Sequence, residues 1–272
     1  MQGKVVLITG STDGIGRETA RQLARLGAAI ILHGRNHQNG PEIRDQLKRE
    51  TGNEFIDYFN ADLSKREKIH ALADHVKSRY GVLDVLIHNA GVFMTERKLT
   101  HEGLEMTFAV NHLAPFILTG LLLPCLKIAE QGRIVTVSSI AHQNVQLDFN
   151  NLQGEQQFDP YKAYALSKLG NILFTNYLAA HLNQTRITAN ALHPGVITTK
   201  LLMAGFNRTG ASLEEGAETS VYLASAPEAA EFSGGYFIKR KKSSPSAASR
   251  DEKNINEFWQ VSSELSGIRY AF

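Results

Sequence analysis

Tyr164 and Lys168 stand four residues apart in DPYKAYALSK (Asp159–Lys168), which puts both side chains on one face of an α-helix. A phenol is a poor acid–base catalyst near neutrality unless its anion is stabilised. A lysine ammonium one helical turn away supplies that stabilisation and is expected to lower the phenol pKa. Tyr161 has Ala165 at the same offset, so the pair able to do this chemistry is Tyr164 with Lys168.

A second chemical signal lies near the start of the chain. VVLITGSTDGIGRETA (Val5–Ala20) runs strand, glycine turn, helix. Gly10, Gly14 and Gly16 allow a tight turn, close backbone approach to a pyrophosphate and close packing of helix on strand. With Ser11, Thr12 and Ile15 they form the candidate phosphate cradle at a helix N-terminus, whose N–H groups favour an anion. The next strand ends LHGRN. A site for NAD carries an acid there to bind the ribose hydroxyls. Here Gly34 holds that position, and Arg35 and Asn36 follow. A guanidinium pairs with a 2′-phosphate that a carboxylate would repel, so NADP(H) is favoured over NAD(H).

These groups must be held by elements that the pattern also shows. Short runs rich in Val, Ile and Leu (KVVLIT, AAIILHG, EFIDYF, LDVLIH, GRIVTVS, RITANALH and GGYFIK) alternate with longer amphipathic segments. That alternation predicts one doubly wound, Rossmann-type α/β domain over residues 1–272, with about seven mostly parallel strands and helices on both faces. Two stretches break the rhythm: 140–160, an inserted loop, and the basic, serine-rich 239–250, before a C-terminal helix within the tail 239–272. The run Lys239–Lys242 is expected to be a solvated connection rather than a contact for acidic lipid or nucleic acid. Trp259 is expected to pack that helix onto the body.

Several ordered motifs together resemble the short-chain dehydrogenases/reductases. They are Thr9-Gly10-x3-Gly14-x-Gly16, ADL (Ala61–Leu63), HNAG (His88–Gly91), Asn111, VSS (Val137–Ser139), YALSK (Tyr164–Lys168) and HPGVITT (His193–Thr199). The resemblance implies that Tyr164 is the proton donor, that Lys168 tunes it and binds the nicotinamide ribose, and that Ser139 rather than Ser138 holds the substrate oxygen. Asn111 would hold a water linking the lysine to solvent. Asp62 and Leu63 would flank the adenine, and Asn89, Ala90 and Gly91 would border the ribose. Pro194, Gly195, Ile197 and Thr199 would hold the carboxamide end. The segment 199–216 would be a lid, with Leu201, Leu202, Met203 and Phe206 as an apolar wall. The 25 residues between Ser139 and Tyr164, together with VSS-x-AH, resemble the retinol dehydrogenase branch. The chain enters a strand at once, without the N-terminal anchor of membrane-bound relatives. The expectation is therefore a cytoplasmic reductase of apolar aldehydes or ketones, and the helices carrying Asn111 and Tyr164 would support a homodimer or homotetramer.

Composition narrows the classes. Net charge is +2 among 272 residues, too mild to imply nucleic acid. PFILTGLLLPCL, with two prolines, reads as too short to span a bilayer. Cys125 lies in an apolar run, where a buried inert thiol is expected. His33 and His37 lack a third ligand, so no metal site is expected. An NADP(H)-binding redox-sensing regulator, or the same chemistry on sugars or sterols, would share most of these motifs. Retention of Ser139, Tyr164 and Lys168 weighs against the regulator.

Overall fold

The computed structural model describes residues 1–206 and 208–272, apart from the side chain of Phe206. Among the described residues, eight strands form one sheet in the order β3-β2-β1-β4-β5-β6-β7-β8. They are β1 (Val5–Ile8), β2 (Ala29–Gly34), β3 (Ile56–Asn60), β4 (Val85–His88), β5 (Gly132–Val137), β6 (Ile187–His193), β7 (Tyr236–Ile238) and β8 (Lys241–Ser243). The first seven are parallel, as strands buried on both faces require.

The run Lys239–Lys242 is exposed, as expected of a solvated connection, but it also forms a hairpin strand that the sequence did not announce. Lys239 and Arg240 take φ of 48° and 62°, and β8 returns antiparallel to β7. Positive φ at both central residues is the two-residue hairpin geometry that glycine or asparagine usually supplies. Lysine and arginine gave no such signal in the sequence.

The helices are α1 (Gly14–Arg25), α2 (Asn39–Thr51), α3 (Arg66–Arg79), α4 (Met106–Phe108), α5 (Ala114–Ile128), α6 (Pro160–His181), α7 (Lys200–Phe206), α8 (Leu213–Ser225), α9 (Ala247–Arg250) and α10 (Glu252–Ser266). Successive strand side chains point to opposite faces. Thus Val6, Ile8, Ile30 and Leu32 pack with Leu23 of α1, Leu47 of α2 and Leu223 of α8. Val5, Leu7 and Ile31 pack with Leu72 of α3, Phe116 and Leu122 of α5, and Phe174 and Leu178 of α6. Cys125 is buried in this second core, and burial raises its pKa.

A π-turn (Ala109–Leu113) joins α4 to α5, so the helical run Met106–Ile128 is 23 residues long. By length and composition it could cross a membrane, which the shorter run read from sequence could not. It is instead a core helix, with 83% of its apolar window buried.

The tail closes the outer face of α5 and α6. Trp259 of α10 stacks on Tyr177 at 3.8 Å between ring centroids and tilts against Phe116 at 4.7 Å. The Tyr270 hydroxyl donates to the Phe116 carbonyl at 2.5 Å, and Lys127 donates to Ala271 O at 2.7 Å. A helix bundle shared between subunits would meet this tail. The 140–160 insertion is also packed down. It opens with a 3-10 turn (Ile140–Asn144), and Leu152 is buried with Leu166, Leu169 and Phe258.

Candidate active site

At the carboxyl ends of the strands lies a cleft of about 780 Å³, bordered by the turns after β1, β2, β4, β5 and β6. The turn after β1 is built by close approach. Gly10 has φ +64°, and a Cβ there would lie 2.8 Å from Ala90 Cα. A Cβ at Gly16 would collide with the Gly10 carbonyl and the Asn89 amide. Asn89 Nδ2 donates to the carbonyls of Thr9 and Gly10, both at 2.9 Å. The Thr9 hydroxyl accepts from the N–H groups of Asn89 and Ala90 at 3.0 and 3.1 Å. Asn89 therefore braces the glycine turn as well as bordering the cleft.

His33 completes this bracing. The Gly10 N–H donates to its Nδ1 at 3.1 Å, which leaves the ring proton on Nε2, 3.0 Å from the Ala61 carbonyl. Burial lowers its pKa to about 4, so the ring is neutral and both nitrogens are used. Sequence reasoning weighed His33 only as a metal ligand; its partners are main-chain groups, which leave no pattern in the sequence. Ser11 is a correction. It is fully buried, donating to Ile8 O at 2.7 Å and accepting from His33 N–H at 2.9 Å, off the cleft wall.

The turns after β2 and β3 form one end of the cleft with Gly34, Arg35, Asp62 and Leu63, while Thr12, Gly14 and Ile15 line it from the glycine turn. A Cβ on Gly34 would stand 2.7 Å from both Cγ2 and Oγ1 of Thr12. Any acid at position 34 would have to displace that threonine. Arg35 is exposed beside it. Asn36 is off the wall: its Oδ1 accepts from the N–H groups of Gln38 and Asn39 at the start of α2. His88 likewise faces inward, bonded to Thr119 at 2.7 Å.

Ser139, Tyr164 and Lys168 meet on one wall. Ser139 follows β5 and its hydroxyl hydrogen-bonds the Tyr164 phenol. Ser138, by contrast, donates to the Lys168 carbonyl at 2.7 Å inside the fold. Helix α6 starts at an Asp159 cap, which accepts from Lys162 N–H at 2.7 Å, and carries Tyr164 and Lys168 one turn apart. Lys168 Nζ donates to the Val137 carbonyl at 3.0 Å and lies 5.6 Å from the centre of the Tyr164 ring.

In the protein alone, burial governs both titrating groups. Burial pushes Tyr164 up to about 12, against a smaller opposing effect of the Ser139 hydrogen bond, and burial lowers Lys168 to about 8. Both shifts have one cause: a dry site disfavours phenolate and ammonium alike.

Asn111, expected to hold a water linking Lys168 to solvent, is engaged with the protein. It lies in the π-turn, fully buried and off the cleft wall. Its Oδ1 accepts from Val92 N–H at 2.7 Å, and its Nδ2 donates to Val92 O at 2.9 Å and to Ser167 Oγ at 3.0 Å. Both Nδ2 hydrogens are used, and Oδ1 keeps one lone pair. It holds the β4 turn, where a Cβ on Gly91 would stand 3.5 Å from both Asn111 Oδ1 and Lys168 Nζ.

The remaining wall is apolar. Phe93 lies 5.7 Å from the Tyr164 ring and packs with Ala141, Val145 and Leu201, while Leu202 also lines the cleft. Phe93 was invisible as a site residue because one phenylalanine after a strand reads as core. Pro194, Gly195, Ile197 and Thr199 line the cleft after β6. The segment 199–216, expected to be a lid, is fastened at its far end. Ala211 N–H donates to Val196 O at 2.8 Å and Thr198 N–H to Ala211 O at 3.1 Å, while a capping box at Ser212 begins α8. Within the segment Lys200 pairs with Asp13 of the glycine turn at 2.6 Å. Met203 points outward, 46% exposed, and the expected Phe206 side chain lies outside the described residues.

A glycine-braced anion cradle facing a buried serine–tyrosine–lysine cluster across one cleft defines a nucleotide-dependent oxidoreductase. The chain belongs to the short-chain dehydrogenases: the family model "short chain dehydrogenase" matches residues 4–209. It is 39% identical to retinol dehydrogenase 12 of Mus musculus over 98% of this chain and 88% of that protein. A crystal structure of an uncharacterised Mycobacterium paratuberculosis protein superposes with a TM-score of 0.84 at 29% identity, covering 100% of this chain and 96% of the other. A short-chain dehydrogenase of Escherichia coli solved with NADPH gives a TM-score of 0.73 at 28% identity, over 89% of this chain and 98% of the other. The family binds NAD(P), and the chain sits in its retinol dehydrogenase-like branch.

Proposed function

We propose that this protein is an NADP(H)-dependent oxidoreductase that interconverts an apolar aldehyde or ketone and its alcohol. The observation that carries this reading is the Ser139–Tyr164 hydrogen bond beside the Lys168 ammonium, on the wall that also holds Phe93 and Leu201. The glycine turn fits a pyrophosphate, because Gly10 and Gly16 let it pack tightly against Ala90 and Asn89 and so set the N-terminus of α1 at the cleft. Gly34 leaves no acid at the ribose end, and Arg35 supplies a cation for a 2′-phosphate. The Escherichia coli neighbour solved with NADPH supports the same choice.

When bound, the dinucleotide supplies or accepts the hydride. The protein supplies the proton and the field. Ser139 donates a hydrogen bond to the substrate oxygen, and Tyr164 gives its proton to the alkoxide that forms there. A phenol held at about 12 is fully protonated at neutral pH, which is the form a reductase needs. Lys168, at about 8, is still mostly cationic at pH 7 and stabilises the phenolate left behind. Phe93, Leu201 and Leu202 exclude water and favour an apolar substrate. Helix α7 (Lys200–Phe206), tied to the glycine turn by Lys200 and Asp13, is the lid.

The test is oxidation of NADPH and NADH against a panel of aldehydes and ketones, retinal included, with Tyr164→Phe in parallel. The variant should lose turnover by about a thousandfold while still binding NADPH. Undiminished turnover would refute the proton-donor role, and equal efficiency with the two cofactors would refute the preference.

A further inference from the structure

The peptide that follows Ser139 is gripped at both of its polar ends by histidines. Its carbonyl, Ser139 O, lies 2.6 Å from His142 Nδ1. Its amide, Ile140 N–H, donates to His193 Nδ1 at 3.3 Å. His142 is fully buried, and its other nitrogen accepts from the Ser246 N–H at 3.0 Å. That contact fixes the tautomer: Nε2 is the acceptor, so the proton is on Nδ1 and is donated to Ser139 O. The Tyr236 ring, 5.0 Å from the imidazole, packs it from the side. Ser246 is itself anchored, since its carbonyl accepts from Ser249 N–H and Oγ, and Asn176 of α6 donates to Ser249 O at 2.7 Å.

We propose that His142 and His193 form a clamp on the Ser139–Ile140 peptide, that Ser246 of the C-terminal tail sets it, and that its role is to position the Ser139 hydroxyl against Tyr164. His142 and His193 are positioning residues here, acting on the reaction through Ser139. Ser139 is extended, with φ −154° and ψ 156°, and sits between a strand and a 3-10 turn. Within these elements the plane is held by the His142 N–H, which donates to Ser139 O at 3.2 Å, so the carbonyl end leans on His142 twice and the amide end on His193. A rotation of the plane would move the hydroxyl relative to the phenol. The tail, more than 100 residues away in sequence, thereby becomes a working part of the site. The proposal rests on the role given above to Ser139.

Ser246→Pro removes the donor N–H at a φ of −58°, already within the range of proline, together with a hydroxyl that makes no hydrogen bond. His142→Ala removes both contacts, and His142→Asn restores an N–H toward Ser139 O. In Ser246→Pro and His142→Ala, kcat should fall about tenfold while KM for NADPH stays within about twofold, the mark of a geometric fault at the reacting group. His142→Asn, or imidazole added to His142→Ala, should recover part of kcat. A general weakening of the fold would instead raise KM for NADPH together with the loss of kcat and show no imidazole rescue, which would overturn the clamp. So would unchanged kcat in all three variants. Tyr164→Phe run alongside separates the two ideas: if it abolishes turnover while the clamp variants are normal, only the clamp fails. If Tyr164→Phe is itself fully active, the reading of the site fails first.

Discussion

Lys168 Nζ lies over the face of the Tyr164 ring, 5.6 Å from its centre, and is bonded to the Val137 carbonyl. The ammonium is thus held against the sheet by β5 while facing the phenol one turn earlier on α6. Its charge is placed for the reaction at the expense of stability, since burial pulls its pKa from 10.5 to about 8.

That trade gives a test with a definite sign. Folding lowers the lysine pKa, so the unfolded chain holds this proton to higher pH, and stability rises as pH climbs from about 8 toward 10.5. Lys168→Met should be more stable than the parent by about 2 kcal/mol at pH 7, with the advantage disappearing above pH 10. The Val137 carbonyl keeps its Asn171 donor at 3.3 Å in that variant. Urea denaturation across pH, with turnover measured alongside, checks both halves: greater stability and lost activity. A variant less stable at pH 7 than at pH 10 relative to the parent would contradict the sign.

Cofactor choice should resist a simple swap. Arg35→Ala is expected to raise KM for NADPH by about tenfold or more and to leave NADH nearly unaffected. Gly34→Asp alone should weaken both cofactors, because its Cβ meets Thr12 at 2.7 Å. Paired with Thr12→Gly, the aspartate has room, and NADH efficiency should rise above that of the single variant. Steady-state kinetics with both cofactors decides it.

His33→Leu fills the same space but leaves the Gly10 N–H and the Ala61 carbonyl buried without partners. The expected loss is about 2–4 kcal/mol of stability. KM for the dinucleotide should rise more than kcat falls, because the glycine turn loses its brace. Chemical denaturation and cofactor titration measure the two effects separately.

Trp259 is the only tryptophan in the chain, so its fluorescence reports on tail docking alone. Trp259→Phe should cost about 1–2 kcal/mol through lost stacking on Tyr177 and Phe116. In the parent, a red shift of the emission at denaturant concentrations below global unfolding would show the tail leaving first. Coincidence with the circular-dichroism transition is the expected result, since α10 shares the core of α6.

The alternation of Val-, Ile- and Leu-rich runs with amphipathic segments determined the doubly wound sheet by itself, because hydrophobic periodicity acts over a few residues and survives in one dimension. The same holds for the glycine turn and for Tyr164 with Lys168, whose spacing is set by a single helix. The tertiary structure decided what depends on groups distant in sequence. Ser11, Asn36 and Asn111 belong to motifs, yet their side chains are taken by Ile8, Gln38 and Val92 and leave the cleft wall to others. His33, Phe93 and the His142–Ser246 contact carry no local pattern, since their partners are main-chain groups or rings from other elements. The direction of the Tyr164 shift was decided there too: adjacency to a lysine is written in the spacing, whereas the loss of water that outweighs it exists only once the chain has closed around the pair.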